Sequence, residues 1–235
     1  MKTTRRGLYQ WMDRPRLLLT LLLGLALVAC DDDTSGDAGP DTADTGTGLT
    51  FFLDTGWIDG MRMPVEGLAV EIYDGADLTT VLGTATSDAG GRAVAAVPPI
   101  EEFWVARASA DGYRDSWYFH IEGVAADASW GNITAVSDEL WATSYAAAAV
   151  TPDPAAGVIA VSGLAGATVT AEPGGTVVYG RLQRPVPVAQ MTDDSREVFI
   201  MNAPAGDVEV TFENELESVS RTVRAFPDAF TAALL

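Results

Sequence analysis

From Leu49 to the C-terminus, apolar and polar residues alternate in short runs broken by Gly, Asp and Pro, the pattern of antiparallel β structure. The spacing predicts strands at Leu49–Leu53, Leu68–Tyr73, Val81–Thr86, Arg92–Val97, Phe103–Ser109 and Ser116–Ile121. Leu68, Val70 and Ile72 fall on one face of the second run, with Ala69, Glu71 and Tyr73 on the other. Asp88-Ala89-Gly90-Gly91 and Asp111-Gly112 supply turns. At Ser137 the period changes. Ser137 is an N-cap, Asp138 and Glu139 place negative charge in a first helical turn, and Leu140, Trp141 and Tyr145 follow before Thr151-Pro152-Asp153-Pro154 stops the helix. A second β series is predicted at Gly157–Ser162, Ala167–Glu172, Thr176–Tyr179, Arg196–Met201, Asp207–Glu213 and Glu217–Arg224. The expected fold is therefore mostly β, with two tandem small antiparallel β-sandwiches at 49–136 and 157–235. A short helix and Pro-rich link, 137–156, joins them.

The N-terminus follows a different rule. Lys2, Arg5, Arg6, Arg14 and Arg16 precede an uncharged run from Leu17 to Ala29, the order of an export signal. As a helix that run rises only about 20 Å, well short of the roughly 30 Å hydrocarbon core. Leu27-Val28-Ala29-Cys30 resembles the lipobox of bacterial lipoproteins. The resemblance implies cleavage before Cys30 and lipidation of that thiol, leaving residues 1–29 as a signal peptide. Cys30 is the sole cysteine, so the chain has no intramolecular disulfide. Stable attachment takes more than one acyl chain, as lipoprotein modification supplies. The expected location is the cell envelope, anchored to the inner or outer membrane and facing the periplasm or cell surface. Thr4-Arg5-Arg6-Gly7-Leu8 also resembles a twin-arginine signal, so the export route stays open.

Charge narrows the partners. The chain carries 14 basic and 33 acidic residues, a net charge of −19. Removing residues 1–29 leaves nine basic against 32 acidic, or −23, with no lysine. Nucleic acid binding needs clustered cations, so it is excluded as an expectation. The expected partners are the membrane, through lipid on Cys30, and an envelope protein or polysaccharide. Residues 31–48 are rich in Asp and lack large apolar side chains, which predicts that 30–48 is a disordered tether reaching roughly 60 Å when extended. They also lack the D-x-D-x-D-G spacing of a calcium loop.

Several β motifs resemble those of carboxypeptidase regulatory-like domains, the transthyretin-type sandwiches. In the first half these are Gly67-Leu68-Ala69-Val70, Thr86-Ser87-Asp88-Ala89-Gly90-Gly91 and Ala110-Asp111-Gly112-Tyr113. In the second they are Gly166-Ala167-Thr168-Val169, Thr192-Asp193-Asp194 and Asn202-Ala203-Pro204-Ala205-Gly206-Asp207-Val208. The resemblance covers most of 49–225 and implies a scaffold with no activity of its own. With the acidic tether and the T-P-D-P link, the chain resembles lipoproteins of myxobacteria and their relatives.

Residues for catalysis are sparse. The one histidine, His120, lies in a predicted strand without metal-binding spacing. Glu101-Glu102, Asp193-Asp194 and Glu213 with Glu215 sit beside predicted turns, where solvated charge is the expected state. No enzyme activity, cofactor or metal is expected. The mature tryptophans, Trp57, Trp104, Trp117, Trp130 and Trp141, all precede the second sandwich. Alternation puts Trp117, Phe119 and Ile121 on one face and Tyr118 and His120 on the other, with Phe103 and Val105 inward. Trp104 and Tyr118 are then expected to form an exposed aromatic platform on which a sugar ring stacks, which makes a carbohydrate-binding module the alternative function.

Overall fold

The alternating segments are strands. In the computed structural model, which describes residues 47–54, 63–75, 77–101, 103–120, 128–181, 184–186 and 197–234, the first half contains β1 (Thr47–Asp54), β2 (Ala69–Asp74), β3 (Val81–Thr86), β4 (Arg92–Val97), β5 (Trp104–Ser109), β6 (Ser116–His120) and β7 (Ala128–Thr134). Helix α1 (Asp138–Ala148) follows. The second half contains β8 (Ala156–Ser162), β9 (Thr168–Glu172), β10 (Thr176–Arg181), β11 (Arg184–Val186), β12 (Glu197–Pro204), β13 (Gly206–Glu213), β14 (Ser218–Ala225) and β15 (Phe230–Leu234). The expected mostly-β fold with one short helix is present. Strands β7, β11 and β15 had no counterpart in the sequence reading. The expected export signal, Cys30 and nearly all of the acidic segment lie outside the described residues.

Local chemistry explains the turns and the helix ends. Asp88 Oδ1 accepts from the N–H groups of Gly90 and Arg92, both at 2.9 Å, and Gly91 takes φ 73°, closing the β3–β4 turn. Ser137 Oγ accepts from Leu140 N–H at 3.1 Å and caps α1. The helix stops before the prolines. Ala149 turns left-handed at φ 55°, and the Val150 N–H reaches back to the Tyr145 carbonyl at 3.1 Å.

Nine strands form one sheet in the order β11-β10-β12-β8-β15-β6-β5-β2-β3. Two three-stranded sheets, β4-β1-β7 and β14-β13-β9, complete the fold. Cross-strand register shows which side each small sheet covers. Trp104 is paired with His120, Ala106 with Tyr118, Tyr118 with Ala232, Ala232 with Ala160, and Ala160 with Phe199, so these residues share one face. Val105, Phe119, Ala233, Val161 and Val198 share the other.

In the first half, Val70, Ile72, Trp104, Ala106 and Ala108 are buried with Leu49, Phe51, Ala93, Ala95, Val97 and Ile133 from the small sheet. In the second half it is the opposite face, through Ile159, Val161, Val198 and Ile200, that packs with Val169, Val208, Val210 and Phe212. Each sandwich thus has its own core on opposite sides of one continuous sheet. Full burial of each large apolar side chain contributes about 1.5–3 kcal/mol. The face left bare in the second half is covered by α1: Leu140, Trp141 and Tyr145 are buried with Val158, Phe199, Met201 and Phe230.

Strand β15 fuses the halves. It runs parallel to β8 on one side and to β6 on the other. Polar contacts reinforce the seam. Arg114 pairs with Asp138 at 3.0 Å and with Asp228, and its guanidinium lies 5.4 Å from the centre of the Trp141 ring. Asn202, left-handed at φ 54°, sits at the register shift between β12 and β8. Its Oδ1 accepts from Tyr145 Oη at 3.0 Å and from Asp153 N–H at 3.1 Å, while Nδ2 donates to the Thr151 carbonyl at 2.8 Å. The Pro-rich link is thereby tied to both the helix and β12.

A fragment of residues 157–235 keeps the second core but leaves β15 without β6 and Phe199 without the helix that covers it. The expected outcome is a folded β fragment several kcal/mol less stable than residues 157–235 in the whole chain, with a tendency to self-associate along β15. Urea melts followed by circular dichroism and sedimentation of both proteins check this. A fragment as stable and as monomeric as the parent contradicts it.

Candidate functional site

Strands β5 and β6 carry the aromatic residues from which a ligand platform was expected. They pair antiparallel through the turn at Asp111-Gly112, where Gly112 has φ 81°. Trp104 and Tyr118 do share a face, as the alternation requires, but it is the inner one. Trp104 is 0% exposed, and its ring meets Phe51 edge-on at 5.8 Å and stacks on His120 at 3.9 Å with planes 11° apart. The reason is steric. Ala106 and Ala108 on the same face leave room for the indole beneath β4-β1-β7, so the small neighbours that suggested an open surface instead make the pocket that buries it. Val105, expected inside, is also fully buried.

Tyr118 is half-buried, and its hydroxyl has a specific duty. It accepts from the Thr134 N–H at 2.7 Å and donates to the Thr134 carbonyl at 3.0 Å. One side chain thus satisfies both backbone groups at the end of β7 and ties that strand to β6. The exposed Trp104–Tyr118 sugar platform is therefore corrected: one ring is core and the other hydroxyl is a clasp between sheets.

The opposite face of the same strands holds a cluster that the sequence did not reveal. Arg107 on β5 donates to Glu71 Oε2 at 3.0 Å and to Asp115 Oδ2 at 2.6 Å from Nη2 and 3.1 Å from Nε. Tyr73 Oη donates to the same Glu71 oxygen at 2.7 Å. Burial raises the Tyr73 phenol above its ordinary range, and the hydrogen bond to Glu71 adds to this. Arg107 is held charged: the hydrogen bond to Asp115 is the largest of the effects that together outweigh its desolvation. The guanidinium lies 5.5 Å from the centre of the Trp117 ring. Trp117 also meets Tyr73 at 5.6 Å and stacks on Phe226 at 4.1 Å with planes 14° apart.

Phe226 follows β14, so this stack joins the two halves. Glu71 and Arg107 are register partners between β2 and β5, strands far apart in sequence. Their pairing had no local signal. With its guanidinium matched to two carboxylates and its largest ring engaged by three neighbours, the cluster is arranged to hold the sheet together.

His120 is half-buried at the end of β6. Burial lowers its pKa to about 4, so the ring is neutral at physiological pH. Among the described residues no group of three or more His, Cys, Asp or Glu converges as metal ligands, and no helix is long and apolar enough to cross a membrane. Glu213 and Glu215 flank the β13–β14 turn as exposed charges, while Asp193-Asp194 lies outside the described residues.

No protein-family model matches the chain, and no curated protein matches it in sequence. Among solved structures it is similar to a streptococcal ancillary pilin, at 11% identity and a TM-score of 0.27 over 81% of this chain and 62% of that one. It is also similar to the T6 backbone pilin of serotype M6 Streptococcus pyogenes, at 13% identity and a TM-score of 0.25 over 80% of this chain and 33% of that one. A third is the BSP domain of a biofilm associated protein, at 14% and 0.21 over 72% and 26%. The chain thus spans less than two thirds of each of these proteins, and nothing about partners or activity follows from likeness at this level.

Two outcomes follow from the side-chain geometry. Trp117→Ala removes the stack on Phe226 and the contact with Arg107, and is expected to lower the unfolding free energy by about 2 kcal/mol or more in a denaturant melt. Lowered from 6.5 to about 4 in the folded state, His120 binds its proton more readily when the chain is unfolded. Its contribution to stability is thus complete above pH 6.5 and is lost as pH falls toward 4, by up to about 3 kcal/mol. His120→Gln is expected to flatten the stability profile between those two values. A profile identical to the parent's shows that His120 does not carry it.

Proposed function

We propose that the protein is a non-enzymatic, lipid-anchored component of a bacterial cell envelope, whose two fused sandwiches act as a rigid structural or binding element outside the cytoplasm. The observation that carries this reading is the continuous nine-stranded sheet, which makes one body of two sandwiches immediately after an acidic segment headed by a lipobox-like cysteine. The N-terminal pattern supplies the anchor. The Asp-rich segment supplies reach, and its charge repels anionic headgroups, holding the body away from the surface.

Three arginines of the body support a structural role, since Arg107, Arg114 and Arg224 are each matched to a carboxylate of the same chain. The carbohydrate-binding alternative lacks the support it was given, because Trp104 is buried.

Cys30→Ala is expected to leave an unlipidated precursor, released from membranes by mild washing, and inhibition of lipoprotein signal peptidase is expected to make the parent precursor accumulate. Fractionation with mass spectrometry of the N-terminal peptide checks both. A mature N-terminus elsewhere, with no acyl mass on Cys30, removes the anchor from this reading.

A further inference from the structure

We propose that the folded body is built to carry tension along its own chain, because both of its terminal strands are interior strands that cannot be peeled from a sheet edge. The acidic segment leads directly into β1, the middle strand of β4-β1-β7. From Thr47 to Phe52 it is paired with β4, and from Leu49 to Asp54 with β7. The last strand, β15, is likewise enclosed: Phe230 to Leu234 pair with β8, and Phe230 to Ala233 with β6. Displacing either strand requires two ladders to open together, and the strands are held by buried side chains as well. Leu49, Phe51 and Thr231 are fully buried, and Phe230 nearly so. An edge strand, in contrast, is removed by opening one ladder.

Side chains connect the two clamps. Asp54 and Thr134 are the last paired residues of β1 and β7. Tyr118 holds both backbone groups of Thr134 from β6, and β6 is the direct neighbour of β15. A pull entering at β1 passes through β7 and the Tyr118 hydroxyl into the strand that grips β15. The Trp117–Phe226 stack and the Arg114–Asp228 pair bridge the same seam outside the ladders. The inference concerns the folded body and stands whether or not Cys30 carries lipid, so its failure leaves the anchoring test untouched.

Single-molecule force spectroscopy on the full chain tests it. With Cys30→Ala as background, one molecule carries handles at Thr45→Cys and Leu235→Cys, which load β1 and β15. A second carries them at Asp207→Cys and Arg224→Cys, register partners at the open end of the β13–β14 hairpin, so that one ladder opens pair by pair. Circular dichroism first establishes that both are folded. The expected result is a rupture force several-fold higher in the terminal geometry than across the hairpin at one loading rate. Equal or lower force in the terminal geometry overturns the proposal. Tyr118→Phe separates the route from overall stability: it is expected to lower the terminal force and leave the hairpin force unchanged, and an unchanged terminal force removes the Tyr118 link.

Discussion

Strand β15 depends on hydrogen bonding along both of its edges, and much of the architecture follows from that requirement. A strand in the middle of a sheet leaves no backbone group for water, so both neighbours must be in place before it is satisfied. Here one neighbour, β8, belongs to the second half and the other, β6, to the first. The last strand therefore makes two sandwiches into one body. Once the sheet is continuous, its side-chain alternation is continuous too, and each face must be covered somewhere along its length. The two small sheets lie on opposite faces, and α1 covers the part of one face that neither reaches.

The same constraint explains the aromatic residues on β5 and β6. Both faces of these strands carry side chains engaged with other parts of the body. One face buries Trp104 against Phe51 and His120. The other carries Arg107, Tyr73 and Trp117 in a hydrogen-bonded and stacked cluster that reaches Phe226 of the second half. A charged side chain at the middle of a strand is tolerated there because Glu71 and Asp115 meet it from two directions. Removing either carboxylate leaves a partly buried guanidinium with reduced compensation, whereas loss of an isolated surface pair has little effect.

Much of this was legible from local pattern. The bounds of β3 and β4, the Asp88 turn and the Ser137 cap follow from alternation and from side chains that bond their own backbone. What escaped has a common physical cause. In β15, Thr231-Ala232-Ala233 is made of small side chains, and its two alanines carry no strand signal, because the strand's place is fixed by the two strands that enclose it. Strand β7 runs through Gly131 and Asn132, and its parallel pairing with β1 leaves no hairpin turn to mark it. The face of Trp104 was misjudged for a related reason: alternation says which residues share a side, and only the covering sheet says which side is in. Glu71 and Arg107 likewise met through register between β2 and β5, which sequence distance conceals.

Asn202 shows how a motif can be read for its scaffold role and still be undervalued. The sequence places it before Ala203-Pro204, in a run that resembles a turn of regulatory-like sandwiches. The backbone needs a left-handed residue at that register shift, and asparagine is among the few side chains that adopt it readily. Glycine would meet that need alone. Asparagine also accepts from Tyr145 and Asp153 and donates to Thr151, so one residue sets the path of β12, anchors the helix and fixes the link between halves. By composition the Pro-bounded segment 151–156 is a link between the halves. With its backbone bound to Asn202 and the strand after it paired with both β12 and β15, it is tied down at both ends rather than free to swing.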